Sequence, residues 1–212
     1  MELIYTARTG PNAPIFADIL QLYVPRGAVG CDVTYGKGSF WNDDSRKHVG
    51  IVHETDLTSG VCLSKLPYSN ESMDFHVLDP PYMCGFFRPK ASQKAQASHS
   101  DFSSRYGNHG GTGYKGKYYH AAVEAIYQDG LQEAWRVLRP GAIQITKCAD
   151  EVSSHKQHLT HCNIVNFASK LGFEPLDLFV VIRLDKPHGK LIKKQEHARK
   201  NHSFFLIFKK PS

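Results

Sequence analysis

The stretch MDFHVLDPPY, residues 73–82, places a short apolar run directly before an acid, two prolines and a tyrosine. The run predicts a buried β-strand, which the prolines end because proline donates no hydrogen bond to a strand ladder. A plain strand terminator would explain the prolines, but it needs neither the flanking acid nor the aromatic ring. We therefore interpret four residues at this strand end as functional: Asp79, Pro80, Pro81 and Tyr82.

Strands and helices alternate on both sides of this run. Strands are predicted at 28–33, 48–55, 60–66, 73–79, 142–148, 176–184 and 203–210, and helices at 13–24, 119–138 and 158–172. This alternation predicts an α/β fold with a mostly parallel sheet and helices on both faces. The last two strands have no helix between them, so we expect an antiparallel strand at one edge of the sheet.

Composition and charge restrict the class of protein. The chain has 212 residues, 41% hydrophobic and 22% charged, which fits one domain spanning 1–212. No stretch approaches the roughly 20 apolar residues that span a bilayer, and the start of the chain lacks a secretory pattern, so we expect a cytoplasmic protein without membrane contact. The net charge of +6 favours a polyanionic partner. The scattered cysteines predict reduced thiols and no zinc site.

A glycine-containing loop, DVTYGKGSFW (residues 32–41), follows the first predicted strand. Its glycines let the backbone approach a ligand closely, although a tight turn explains them equally well. Asp56 ends the next predicted strand, where an acid can accept hydrogen bonds from both hydroxyls of a ribose. Since ligands of doubly wound sheets bind at the carboxyl ends of the strands, we expect a nucleoside site beside Asp79.

The residues at the end of the fourth predicted strand suit one kind of chemistry. An exocyclic amino group on a base is a poor nucleophile because its lone pair is delocalised into the ring. The Asp79 carboxylate and the Pro80 carbonyl can both accept from that group and draw it towards tetrahedral geometry. The Tyr82 ring can stack on the base, which contributes roughly 1–3 kcal/mol. These residues therefore predict a clamp on a base amino group, aimed at a bound methyl donor.

With these motifs the chain resembles the class I S-adenosylmethionine-dependent amino-methyltransferases of DNA, whose signature is the Asp-Pro-Pro-Tyr at 79–82. The resemblance covers nearly the whole chain, and HARKNHSFFLIFKK (197–210) is similar to a small subfamily of bacterial and phage DNA methylases. It implies a Rossmann-like class I methyltransferase fold with a seven-stranded sheet, S-adenosylmethionine as donor, S-adenosylhomocysteine as product, and adenine N6 in DNA as target. It assigns the donor to Asp32, Thr34, Gly36, Gly38 and Asp56, and the target base to the Asp79–Tyr82 motif.

The chain has no insertion large enough for a separate target-recognition domain, so short basic elements must contact DNA. We expect a mobile loop at 83–117 and a basic segment at 183–200 to meet phosphates, which would make binding fall with salt. Solvated charged loops are the alternative interpretation. The candidate nucleic-acid contacts are Arg88, Lys90, Arg105, Lys190, Lys193, Lys194, Arg199, Lys200 and His202.

Other functions are compatible with the same motifs. The target could be cytosine N4 in DNA or a base amino group in RNA, because Asp-Pro-Pro-Tyr also occurs in some RNA methylases. A non-catalytic nucleic-acid-binding module on the same fold is a third possibility, against which the intact Asp79 and Tyr82 argue. Three histidines, His155, His158 and His161, recur every third residue and could share a helix face, but no acid or cysteine completes a ligand set, so we expect no metal.

Overall fold

A computed structural model describes residues 3–84, 113–184 and 196–212. The strands, in chain order, are β1 (Ala7–Thr9), β2 (Val29–Asp32), β3 (Ile51–Glu54), β4 (Met73–Leu78), β5 (Gly113–Tyr114), β6 (Lys117–Tyr118), β7 (Leu138–Cys148), β8 (Glu151–Ser153), β9 (Lys156–His158), β10 (Glu174–Ile182) and β11 (His202–Lys209). The helices are α1 (Asn12–Tyr23), α2 (Asp43–His48), α3 (Tyr119–Val137) and α4 (Thr160–Leu171), with a 3-10 helix at Leu57–Ser59.

Seven strands form the central sheet in the order β1-β10-β11-β7-β4-β2-β3, and only β11 runs antiparallel to its neighbours. The predicted Rossmann-like, mostly parallel fold is therefore confirmed. The predicted edge position of the antiparallel strand is wrong, because β11 lies between β10 and β7. Its residues 203–208 are all buried, as expected for a strand that is paired on both sides and covered on both faces.

The predicted strand at 60–66 does not form. Gly60 adopts a left-handed φ of 80° after the 3-10 helix, and only an isolated bridge joins Cys62 to Lys65. Leu63 and Leu66 are buried, and the backbone N–H of Leu66 donates to Glu133 of α3 at 2.8 Å. One backbone N–H of the segment is therefore bonded to a helix side chain instead of a strand. The seventh strand of the sheet is β1, which pairs in parallel with β10 at the edge opposite β3.

Apolar residues pack on both faces of the sheet. One cluster joins α3 and α4 to the sheet through residues such as Leu78, Ile126 and Phe208, while the other joins α1 through Phe16 and Phe205. Gly130 lets α3 approach β4, because a Cβ there would lie 2.7 Å from a Leu78 side-chain carbon. Within the described ranges, no helix has the length and apolar character needed to cross a membrane.

Candidate active site

The carboxyl ends of β2, β4 and β7 meet at the centre of the sheet. The register pairs Asp32 with Val77 and Leu78 with Thr146. The next residue along β4 is Asp79, which directly follows the strand, and the next along β7 is Lys147, which lies one residue before the end of β7. The two residues are therefore level with each other on neighbouring parallel strands. The sequence predicted a nucleoside site at the carboxyl ends of the strands, and the Asp-Pro-Pro-Tyr motif lies at this same end of the sheet.

Thr34 connects the glycine-containing loop to this motif. The backbone N–H of Asp79 donates to the Thr34 hydroxyl oxygen at 2.6 Å, although the two residues are 45 positions apart in sequence. The backbone N–H of Thr34 donates to Asp32 at 3.1 Å. The loop assigned to the donor and the strand end assigned to the base are thus held against each other by hydrogen bonds.

Asp32 is buried, and its carboxylate shapes the glycine-containing loop. Its two oxygens accept from the Thr34 backbone N–H and, at 2.9 Å, from the Trp41 indole N–H. Burial raises the pKa of Asp32 to about 6, against the opposing effect of these hydrogen bonds. Gly36 and Gly38 both have left-handed φ values, 57° and 64°, which favour glycine.

Asp56 lies beside this loop, but it is not the last residue of a strand. β3 ends at Glu54, and the Asp56 carboxylate caps the following 3-10 helix by accepting from the backbone N–H groups of Thr58 and Ser59 at 2.8 and 3.0 Å. Its second oxygen accepts from the Gly36 N–H at 3.2 Å. Burial favours a higher pKa for Asp56, but these hydrogen bonds outweigh it and hold the pKa below its usual value.

Glu54 is a further acid at the carboxyl ends of the strands, and the sequence pattern did not single it out. It pairs with Asp32 in the β2–β3 register, and its carboxylate forms an ion pair with Arg46 at 2.8 Å. Unlike Asp56, it is exposed and caps no helix. Its position at the end of a strand, rather than any local motif, is the signal that would have identified it.

Asp79 and Tyr82 form a hydrogen-bonded pair. The Tyr82 hydroxyl donates to Oδ1 of Asp79 at 2.6 Å, and among the described residues nothing donates to Oδ2. Pro80, between them, is buried, while Asp79, Pro81 and Tyr82 are half-buried. Burial raises the pKa of Asp79, and the Tyr82 hydrogen bond and the positive charge of Lys147 oppose that rise. Among the described residues, one oxygen of the Asp79 carboxylate therefore has no hydrogen-bond donor, and the residue lies at the carboxyl end of β4.

The candidate nucleic-acid contacts fall into two groups. Six of them lie outside the described residues: Arg88, Lys90, Arg105, Lys190, Lys193 and Lys194. Of the rest, Arg199 is exposed and Lys200 half-buried, and both precede β11. His202 begins β11 and packs edge-on against Phe204 with ring centroids 5.2 Å apart. Since β11 is antiparallel, its first residue lies at the same end of the sheet as Asp79, where the parallel strands have their carboxyl ends.

The three spaced histidines do not share a helix. His155 lies in the turn of the β8–β9 hairpin, His158 lies in β9, and His161 lies in α4. His158 stacks on His120 at 3.8 Å, while Nδ1 of His161 lies 2.7 Å from the Asp150 carboxylate. The part of the chain that the structure describes contains no group of three or more His, Cys, Asp or Glu side chains suited to a metal ion.

Comparison with known proteins extends the description of the fold. No protein-family model matches the chain, and no curated protein matches it in sequence. Solved structures with the same fold include the N-methyltransferase NodS from Bradyrhizobium japonicum WM9, at 8% identity over 94% of this chain and 96% of that chain, with a TM-score of 0.50. TrmN from Thermus thermophilus has 16% identity over 93% of this chain and 48% of that chain, again with a TM-score of 0.50.

The fold is that of a Rossmann-like methyltransferase. A candidate DNA modification methylase from Thermus thermophilus is also similar, at 16% identity over 71% of this chain, with a TM-score of 0.40. The match spans about half of that methylase, 49% of its length. At these identities the likeness concerns the fold.

Proposed function

We propose that this protein transfers a methyl group from S-adenosylmethionine to the exocyclic amino group of a base flipped out of DNA, with adenine N6 as the target. The observation that supports this most is the hydrogen bond between Asp79 and Thr34. It holds a carboxylate suited to a base amino group against a loop suited to a nucleoside. A strand end that only terminated the strand would need no such link.

The arrangement of Asp79 and Tyr82 suits an amino group as substrate. The Tyr82 hydroxyl engages Oδ1 of Asp79, which leaves Oδ2 to accept from an N–H of the base. A second N–H would be accepted by the Pro80 carbonyl, which the prolines hold rigid. Both acceptors draw the amino hydrogens out of the plane of the base, so that the nitrogen lone pair becomes available. A preorganised acceptor pair of this kind lowers the barrier without moving during the reaction.

The residues of the glycine-containing loop fit a nucleoside donor. Gly38 has a left-handed φ of 64°, and a Cβ there would lie 2.3 Å from the Tyr35 hydroxyl oxygen, so a larger residue would strain the backbone and displace the Tyr35 ring. Gly36, Gly38 and Thr34 would form the wall of the donor site, and Asp56 or Glu54 would accept from the ribose hydroxyls. When bound, S-adenosylmethionine supplies a methyl group on a positively charged sulfur, and S-adenosylhomocysteine leaves. The target nitrogen gains the methyl group and releases one proton.

Base flipping explains why an aromatic residue accompanies the acid. The amino group of a paired base is enclosed in the stack, and unstacking it costs a few kcal/mol. The ring of Tyr82 can recover roughly 1–3 kcal/mol of that cost by stacking on the extruded base. Tyr82 would then both hold the base and orient the Asp79 carboxylate, while transfer itself would rest mainly on alignment.

A single assay tests the proposed function. The protein is incubated with S-adenosylmethionine carrying a labelled methyl group and with double-stranded DNA, single-stranded DNA or RNA, and each product is digested to nucleosides. We expect the label in N6-methyl-2′-deoxyadenosine, the modified nucleoside released from DNA. Label in N4-methylcytosine, or in RNA only, would retain the chemistry and change the substrate. No transfer to any nucleic acid would contradict the proposal and favour a binding module.

A further inference from the structure

Lys147 is a fully buried lysine at the carboxyl end of β7, with 0% of its surface exposed. The register that pairs Leu78 with Thr146 places Lys147 beside Asp79 at the ends of two neighbouring parallel strands. Lysine is almost never fully buried unless it is paired, because an ammonium loses its hydration there. The presence of Lys147 at this point therefore requires an explanation.

Two residues of β11 hold the Lys147 ammonium. Nζ donates to the Ser203 hydroxyl oxygen at 2.7 Å and lies 4.2 Å from the centroid of the Phe205 ring. Phe205 is the direct partner of Lys147 in the antiparallel β7–β11 register. Ser203 accepts only one of the three ammonium hydrogens, and neither residue carries a charge. The contacts of Lys147 with β11 thus orient the ammonium but do not neutralise it.

The acid level with Lys147 on the neighbouring strand is Asp79, which forms no direct ion pair with the ammonium and acts on it through its charge. Burial lowers the pKa of Lys147, and the negative charge of Asp79 opposes that fall. In return, Lys147 opposes the rise that burial produces in the pKa of Asp79. The other titratable groups that act on this pair are Tyr82 and Asp32 on Asp79, Cys148 on Lys147, and Arg183 on both.

These neighbours do not replace Lys147. Asp32 has the same charge sign as Asp79 and favours its protonated form, as burial does. Arg183 favours the carboxylate, but it follows β10, which the strand order places three strands away from β4, the strand that Asp79 follows. Lys147 is the cation on the strand directly adjacent to Asp79. The hydrogen bond to Ser203 also fixes the Lys147 ammonium, so its positive charge stays at one position.

We propose that Lys147, oriented by Ser203, is a positioning residue that keeps Asp79 ionised so that Asp79 can accept from the target amino group. This inference rests on the proposed function, because only an acceptor role requires the carboxylate form. A protonated carboxyl would present an O–H donor to the base, and a donor opposes an amino group. The buried lysine thus maintains the negative charge of Asp79 without touching the substrate.

The direct test is the titration of the Asp79 carboxyl carbon by ¹³C NMR of protein labelled at aspartate, with Asp79→Asn identifying the signal. We expect Lys147→Met, which fills a similar space without the charge, to raise the Asp79 midpoint by roughly 1–3 pH units. Replacement of a buried ion-pair partner can destabilise the fold, so thermal unfolding is followed in parallel. Ser203→Ala, which retains the lysine, should raise the same midpoint by less, and it decides the question if Lys147→Met does not fold.

Lys210 provides a matched control. It is also a buried lysine, 8% exposed, but it lies at the other end of β11 and donates to the backbone carbonyls of Trp135 and Leu138 at 2.9 and 2.8 Å. Lys210→Met should lower stability and leave the Asp79 midpoint unchanged. An Asp79 midpoint that is the same in wild type, Lys147→Met and Ser203→Ala would overturn the inference.

Activity supplies a second readout that separates this inference from the proposed function. In an active protein, the acid limb of the single-turnover methyl-transfer profile should move to higher pH in Lys147→Met by the same amount as the carboxyl midpoint, with the plateau at high pH retained. A loss that is equal at every pH would indicate a merely structural lysine and overturn the inference. A wild-type protein that methylates nothing would overturn the proposed function, while the carboxyl titration would still decide on the charge pair.

Discussion

The Tyr82 hydroxyl donates a 2.6 Å hydrogen bond to Oδ1 of Asp79, so the aromatic residue of the motif also acts on the acid of the motif. Tyr82→Phe retains the ring and deletes only this donor. Because the hydrogen bond lowers the pKa of Asp79, its loss should move the acid limb of the rate–pH profile to higher pH. Tyr82→Ala should in addition weaken binding of the extruded base. Identical profiles for wild type and Tyr82→Phe would mean that the hydroxyl has no role in the reaction.

Asp56 combines a structural contact with a proposed donor contact, and two variants separate them. Asp56→Ala should weaken binding of S-adenosylmethionine by roughly 1–3 kcal/mol in calorimetry, the range for an unmade buried hydrogen bond. Ser59→Ala breaks the same helix cap, in which the Asp56 N–H donates to the Ser59 hydroxyl oxygen at 3.0 Å, but it leaves the carboxylate in place. Equal losses in both variants would show that Asp56 acts only by holding the turn.

The basic runs are tested by the salt dependence of DNA binding. Lys193 and Lys194 lie outside the described residues, so their role is still the one predicted from sequence. The double variant Lys193→Ala, Lys194→Ala should reduce the slope of log affinity against log salt by about two. The control is Lys47→Ala with Lys170→Ala, two exposed helix lysines, which should leave the slope as in wild type. An unchanged slope in the first pair would indicate solvated lysines.

His76 should make stability depend on pH. It is fully buried, and within the described residues neither ring nitrogen has a hydrogen-bond partner. Burial lowers the pKa of His76 to about 4, so below about pH 6.5 the unfolded chain binds a proton that the folded chain does not. The free energy of unfolding should therefore fall by up to about 1.4 kcal/mol per pH unit on acidification through this window.

Chemical denaturation of a matched pair of variants isolates this effect. His76→Leu, which replaces the imidazole with an apolar side chain that cannot titrate, should remove that part of the slope between about pH 6 and about pH 5. The exposed His53, changed to Gln, should leave the wild-type slope unaltered. If His76→Leu retains the full slope, the loss of stability in acid has another origin.

Local sequence patterns predicted the parts of the site that lie close together in the chain. The apolar run of β4 followed by two prolines indicated both the strand and the acid placed at its end. The glycines at 36 and 38 indicated a ligand-binding loop or a tight turn, and both have left-handed φ values, 57° and 64°. In each case a few consecutive residues carry the whole signal, because backbone restrictions of proline and glycine act locally.

Relationships between distant residues could not be predicted in this way. The apolar run of β11 indicated a strand, but its neighbours β7 and β10 are set by long-range pairing, which explains the error about its edge position. The short apolar run at 60–66 is ambiguous by periodicity, and it packs on α3 instead of forming a strand. Lys147 and Ser203 are 56 residues apart, so no local pattern could join them at Asp79.

The most direct measurement of the central claim is single-turnover methyl transfer by Asp79→Asn with saturating S-adenosylmethionine and DNA. The amide retains one acceptor oxygen but adds a donor that opposes the base amino group. We expect the rate to fall by at least 10²-fold, as for the loss of one preorganised electrostatic group, while calorimetry shows donor binding close to that of wild type. Transfer by Asp79→Asn at the wild-type rate would contradict the account and leave Asp79 as a residue that only ends a strand.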